Sequence, residues 1–226
     1  MKYLIFDFDG VIANTFEAYV QFYAEQRKIS PEKSTKFIIN HVLHNNRPTL
    51  IKTVIKNLYL PKLESVILKR QNTLNTDLLN NLRQIKYPKA IVSRNNTKLI
   101  KILLSIDQQQ LFNYIFGYNN SKSKVAALSY ICLQNKVQLD DILFVTDTVG
   151  DVIELTGLGT LKKDQILGVT WGFHSRNLLE TVLPSAQIMD TNKQLINTIA
   201  KYVQIHSLNN FYYHLNYGFN LSDATK

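Results

Sequence analysis

Lys2-Tyr3-Leu4-Ile5-Phe6-Asp7-Phe8-Asp9-Gly10 is the stretch on which the fold of this 226-residue chain turns. The run from Lys2 to Phe6 is short and apolar, and it ends on two carboxylates and a glycine. That pattern predicts a buried parallel strand that delivers acidic side chains at its carboxyl end, where open α/β sheets place their sites. Three later segments repeat the design: Ala90-Ile91-Val92 runs into Ser93, Ile142 to Val145 runs into Asp147, and Ile166 to Val169 runs into Thr170-Trp171. Helical spacing separates them, at Leu99, Ile102, Leu103 and Ile106, at Val125, Leu128 and Cys132, and at Leu195, Ile196, Ile199 and Val203. Strands alternating with helices predict an α/β fold, a doubly wound, Rossmann-like parallel sheet.

The interval between the first two strands is too long for one crossover helix, so an inserted subdomain is expected there. Asn14 with Glu17 resembles a helix amino-terminal cap, and Phe16, Tyr19, Val20 and Tyr23 line one face behind it. Ser30-Pro31 reads as a second helix start. Further periodicity at Leu50, Val54 and Leu58, then Leu63, Val66 and Ile67, makes residues 14–76 a small helical bundle. Residues 1–13 and 77–226 form the core, with Asp77 to Lys86 the helix leading back into it.

Composition narrows the function classes. With 45% apolar and 19% charged residues the chain buries a substantial core, which excludes a disordered protein. Lys and Arg number 26 against 17 for Asp and Glu, a net charge of +9 that suits anionic partners such as phosphorylated metabolites, nucleic acid or an anionic membrane surface. No apolar run approaches the ~20 residues of a membrane span. The single cysteine, Cys132, closes no intramolecular disulfide, and the amino terminus lacks a signal peptide's apolar core. A soluble, cytoplasmic protein is expected.

Asp7 and Asp9 are two apart on a strand, so both side chains leave on one face and can share a metal ion or a substrate; the competing reading is a solvated turn. Asp147 and Asp151 repeat the theme at another strand end, where Asp147 also suits a helix cap. Hard oxygen donors without His or Cys beside them favour Mg²⁺ over zinc. Ser93, followed by Arg94-Asn95-Asn96-Thr97 at a helix start, suits either a phosphate or a cap. Lys122 and Lys124 precede the next helix, either as a neutralising ammonium or as solvated surface. The five histidines show no metal-ligand spacing and read as ordinary surface or core residues. The carboxyl-terminal aromatics Phe211, Tyr212, Tyr213, Tyr217 and Phe219 lack interleaved basic residues, so packing is expected over base stacking.

Taken in order, Asp7-Phe8-Asp9-Gly10-Val11, Ser93, Lys124-Val125-Ala126-Ala127-Leu128 and Val145-Thr146-Asp147-Thr148-Val149-Gly150-Asp151 resemble the four motifs of the haloacid dehalogenase superfamily. Gly168-Val169-Thr170-Trp171-Gly172-Phe173 is similar to segments of its phosphoglycolate phosphatase-like branch, and the helical insert matches that branch's cap. The resemblance implies a Mg²⁺-dependent phosphomonoester hydrolase acting on a small phosphorylated metabolite through an aspartyl-phosphate. In it Asp7 is the nucleophile and Asp9 the acid and base, while Ser93, Arg94 and Lys124 (or Lys122) bind phosphate. Asp7, Asp9, Asp147 and Asp151 hold the metal. The alternatives are a phosphomutase or phosphotransferase of the same superfamily, or a non-catalytic phosphate- or nucleic-acid-binding module. No membrane or nucleic-acid partner is expected, and the chain is expected as a monomer or homodimer. Three departures stand out: Thr146 occupies a usual glycine position, Val125 follows Lys124 where the family has Pro or Gly, and the cap is short.

Overall fold

The structure is a computed structural model that describes residues 3–43, 61–70, 73–157 and 159–203. Its centre is a six-stranded, all-parallel sheet of β1 (Tyr3–Phe6), β2 (Lys89–Val92), β3 (Tyr114–Phe116), β4 (Ile142–Thr146), β5 (Ile166–Val169) and β6 (Ile188–Met189). The order across the sheet is β3-β2-β1-β4-β5-β6, so the winding reverses between β1 and β4. Doubly wound sheets bind ligands at the carboxyl ends of such a pair.

Both faces are covered because side chains alternate along each strand. Leu4, Phe6, Ile91, Leu143, Val145, Leu167 and Val169 face one way. They pack on α4 (Thr76–Arg83), α5 (Thr97–Leu103) and α10 (residues 192–203). Tyr3, Ile5, Ala90, Val92, Ile142, Phe144 and Ile166 face the other way, against α7 (Lys124–Asn135), α8 (Val149–Gly157) and α9 (Arg176–Leu179). Two buried faces explain why the strands read as continuous apolar runs rather than alternating ones.

The insert holds α1 (Phe16–Arg27), α2 (Pro31–Leu43) and α3, helical over residues 61–69. Its two connections to the core are paired: Asn14 N donates to Thr73 O at 2.7 Å, Asn75 N to Ile12 O at 2.8 Å, and Ala13 bridges Leu74. The aromatic stripe predicted on α1 forms a half-buried seam against α2, where Phe16, Tyr19, Val20 and Tyr23 meet Phe37 and Ile38. Ala18 and Phe22 pack instead on Leu63 and Ile67 of α3 and on Leu99 of the core. The stretch Leu50, Val54 and Leu58 lies outside the described residues, as do His44, His206, His214 and the carboxyl-terminal aromatics.

Two local expectations are corrected. Leu99, Ile102, Leu103 and Ile106 do not share one helix: α5 ends at Leu103, and Ser105 restarts the chain as α6 (Ile106–Gln109) through a capping box with Gln108. Ile106 is 75% exposed. The residue that caps α1 is Thr15 rather than Asn14, and its hydroxyl bonds no backbone N–H of the helix. That hydroxyl is directed to Asp9, at 2.8 Å.

Candidate active site

The chain leaves β1 through a tight turn in which Phe8 O accepts from Ile12 N at 3.0 Å and Ala13 N at 2.8 Å. Gly10 takes φ +75°, a conformation that costs a side-chain-bearing residue dearly. This turn holds Asp7 over the end of β1 and brings Asp9 back beside the β2–α5 loop. Asp9 accepts from Thr15 Oγ1 at 2.8 Å, from Asn95 Nδ2 at 3.0 Å and from Ser93 Oγ at 3.4 Å. Burial raises the Asp9 pKa, and those donors only partly offset it. A half-buried carboxyl kept oriented and inclined to hold its proton suits proton transfer.

Lys124 opens α7 and is 2% exposed. Its ammonium donates to Asp7 Oδ2 at 2.6 Å and to Asp151 Oδ2 at 2.8 Å, with the Phe144 ring 5.2 Å away. Burial alone would lower the Lys124 pKa, but Asp151 and Asp7 hold it above its ordinary value, so it stays charged. For Asp151 burial is outweighed by Lys124 and Arg94, which pull its pKa well below the carboxylate range. Thr146, the departure from the usual glycine, completes Asp151's shell by donating to Oδ2 at 2.7 Å. Asp7 has the opposite balance: burial dominates and pushes it to about 8 despite Lys124.

Asp147 is fully buried. Its Oδ2 accepts from Phe173 N at 2.7 Å, while Oδ1 has no hydrogen-bond partner among the described residues. Burial and the nearby Asp7 raise its pKa far above the usual range. A Cβ on Gly10 or on Gly172 would overlap this carboxylate, so two glycines from different loops form its cradle. A buried carboxylate with an unused oxygen, beside a second costly carboxylate, is what a bound cation relieves. Among the described residues no three His, Cys, Asp or Glu side chains gather closely enough to cage an ion unaided. Mg²⁺ does not require a cage, since it commonly takes one or two carboxylates and keeps waters and substrate oxygens. The all-oxygen donors therefore fit it.

Of the residues singled out from sequence, Asp7, Asp9, Ser93, Lys124, Asp147 and Asp151 come together at the carboxyl end of the sheet around β1 and β4. Lys122 is exposed. Arg94 turns to α8, where Nη2 lies 2.6 Å from Glu154 Oε2 and 3.3 Å from Asp151 Oδ1. Sequence reasoning passed over Thr15, named Asn95 and Gly172 only within longer stretches and with no role of their own, and read His174 as an ordinary histidine. The first two are ordinary turn and cap types, and only their distance in space from Asp9 shows their use.

The sequence matches the haloacid dehalogenase-like hydrolase family over residues 4–160. The chain belongs to that family. No curated protein matches this hydrolase. Its fold is similar to that of a predicted phosphatase from Clostridium acetobutylicum, with TM-score 0.70, 19% identity, and 88% of this chain and 98% of the other covered. It is similar to a haloacid dehalogenase-like family hydrolase from Streptococcus pneumoniae, with TM-score 0.65, 15% identity and coverage of 88% and 98%. A third likeness is to a predicted phosphoglycolate phosphatase from Haemophilus somnus, with TM-score 0.60, 16% identity and coverage of 88% and 98%. No helix among the described residues of the hydrolase is long and apolar enough to cross a membrane.

Proposed function

We propose that the protein is a Mg²⁺-dependent phosphomonoester hydrolase for a small phosphorylated metabolite. The observation that carries this reading is the pairing of Asp7 with the Lys124 ammonium at 2.6 Å, next to Asp147 with its unpartnered oxygen. Asp7, the backbone carbonyl of Asp9, and Asp147 would hold the ion, with Asp151 orienting its waters. Bound there, Mg²⁺ offsets the repulsion between a carboxylate and phosphoryl oxygens.

Asp7 attacks phosphorus and carries the phosphoryl group as a mixed anhydride. Asp9, held by Thr15 and Asn95, protonates the departing alkoxide and then takes a proton from the water that hydrolyses the Asp7 adduct. Ser93 Oγ and Lys124 Nζ bind phosphoryl oxygens. Arg94 and Thr146 keep Asp151 ionised and fixed. Residues 14–76 act as a cap over this core. The cap approaches the same loops: Glu64 on α3 accepts from Asn96 Nδ2 at 2.9 Å, one residue from the Asn95 that holds Asp9. Lys33 and Lys36 on α2 are exposed, while Arg47, Lys52 and Lys56 lie outside the described residues.

The test is a panel of phosphorylated metabolites assayed for phosphate release with and without Mg²⁺. Release that survives complete metal removal, or no release from any member, defeats the reading. The Asp7 carboxyl adds a pH signature. Its pKa is raised on folding to about 8, so the folded chain binds the extra proton and stability falls as pH climbs from the ordinary carboxylate range to about 8. A cation that takes the proton's place removes that loss. The gain in melting temperature on saturating Mg²⁺ is therefore expected to grow from about pH 5 to about pH 8, as scanning calorimetry at fixed ionic strength would show. A gain independent of pH would contradict binding at Asp7.

A further inference from the structure

The loop between β5 and α9 touches the core, the turn that leads to the cap and the cap itself within four residues. Trp171 Nε1 donates to Val11 O at 3.3 Å, in the turn that leads from β1 to the cap. Gly172 lies against the Asp147 carboxylate so closely that no side chain fits. Phe173 gives its N–H to Asp147 Oδ2 and its ring to the cap, edge-on to Phe16 at 5.1 Å and to Tyr19 at 5.5 Å. His174, 1% exposed, accepts from Val149 N at 3.0 Å through Nδ1, and its Nε2 lies 3.2 Å from Ile39 O of α2. With Nδ1 accepting, Nε2 carries the proton and donates to the cap.

Among the described residues, the hydrogen bond from Phe173 N is what anchors Asp147. The peptide that supplies it is fixed at one end in the core, by Gly172, and at the other in the cap, by the Phe173 ring. His174 adds a second link, from the cap carbonyl of Ile39 to Val149, the first residue of the helix that carries Asp151. We propose that this loop couples seating of the cap to the orientation of Asp147, with Phe173 and His174 acting as positioning residues for a metal-binding carboxylate. Withdrawal of α1 and α2 takes the ring's seat and the imidazole's acceptor away together and frees Asp147 to turn. By reciprocity, whatever factor a seated cap adds to metal affinity, the metal adds to seating of the cap. The proposal rests on the reading of Asp147 as a Mg²⁺ ligand.

The test is Mg²⁺ titration of the full chain by calorimetry, together with the emission of Trp171, the single tryptophan, which stands at the start of the loop. His174→Leu removes both imidazole bonds and is expected to weaken Mg²⁺ binding by about 10–100-fold, the usual effect of losing a residue that orients a ligand. His174→Gln, which keeps a donor and an acceptor, is expected to recover part of it. Phe16→Leu changes only the cap side of the ring contact, and several-fold weaker binding is expected. Gln21→Ala, at an exposed position of the same helix, leaves the ring contact in place and should bind Mg²⁺ as the parent does. If His174→Leu does not fold, the Phe16 and Gln21 pair decides alone. Equal affinity in the Phe16→Leu and parent chains, or equal weakening by Phe16→Leu and Gln21→Ala, overturns the coupling. A parent chain that binds no Mg²⁺, or binds it unchanged after Asp147→Asn, overturns the metal assignment and the coupling with it.

Discussion

Asp7→Asn yields a protein that folds, forms no phosphoryl-enzyme and releases phosphate only at background. The substitution keeps the shape and removes the nucleophilic oxygen charge. It also removes a buried carboxyl whose pKa is pushed to about 8, while Lys124 keeps Asp151 as its partner. The metal-free variant is accordingly expected to melt no lower than its parent at neutral pH, so lost activity and lost fold are separated in one sample. Asp9→Asn behaves differently. General acid help is typically worth ~10²–10⁴-fold, and an alkoxide needs it far more than a nitrophenolate does. Alkyl phosphates are expected to lose about that factor and aryl phosphates less in the first step, with a burst as the Asp7 adduct accumulates. Rapid-quench trapping and peptide mapping check both outcomes: a label on a residue other than Asp7, or equal losses with no burst, refutes this division of roles.

Lys124→Met damages fold and function together. The ammonium is buried and touches two carboxyl groups, so its loss takes away the cation in contact with Asp7 and leaves Asp151 with Arg94 at 3.3 Å. Breaking a buried pair by removing one partner costs about 3–5 kcal/mol. For a chain of this length each kcal/mol moves the melting temperature by about 2–4 °C, so a fall of roughly 6–20 °C is expected without metal. Lys122→Met, two residues away on an exposed side chain, should stay within about 0.5 kcal/mol. Thermal melts of the two variants side by side are the measurement, and similar melts would contradict the buried triad. Phosphate release should be lost with Lys124 and kept with Lys122.

These contrasts follow from what a linear sequence carries. The four long strands were legible because burial on both faces leaves an unbroken apolar run ahead of each polar end. β3 and β6, of three and two residues, were not, since neither is long enough to display a period and the residues of β3 are only half-buried. In the site, acidic pairs at strand ends announce themselves by type and position. The groups that orient them do not: Thr15 and Asn95 converge on Asp9 from 6 and 86 residues away. Phe173 reaches Asp147 through its backbone N–H, which any residue but proline possesses and no side-chain pattern encodes. Thr146 departs from the motif by residue type alone, and only the fold shows its hydroxyl on Asp151.

The paired connections at Ala13 and Leu74 have a consequence for how such a protein can change over generations. Because the chain departs from and returns to neighbouring, hydrogen-bonded positions, the sheet meets everything between them as one closed loop of fixed mouth. Doubling the length of a flexible loop costs only about 0.6 kcal/mol in closure entropy. The intervening bundle can thus be lengthened, trimmed or exchanged for another as a cassette. The strand register that sets Asp7 beside Asp147 stays the same, and what such an exchange must preserve is an aromatic seat for Phe173.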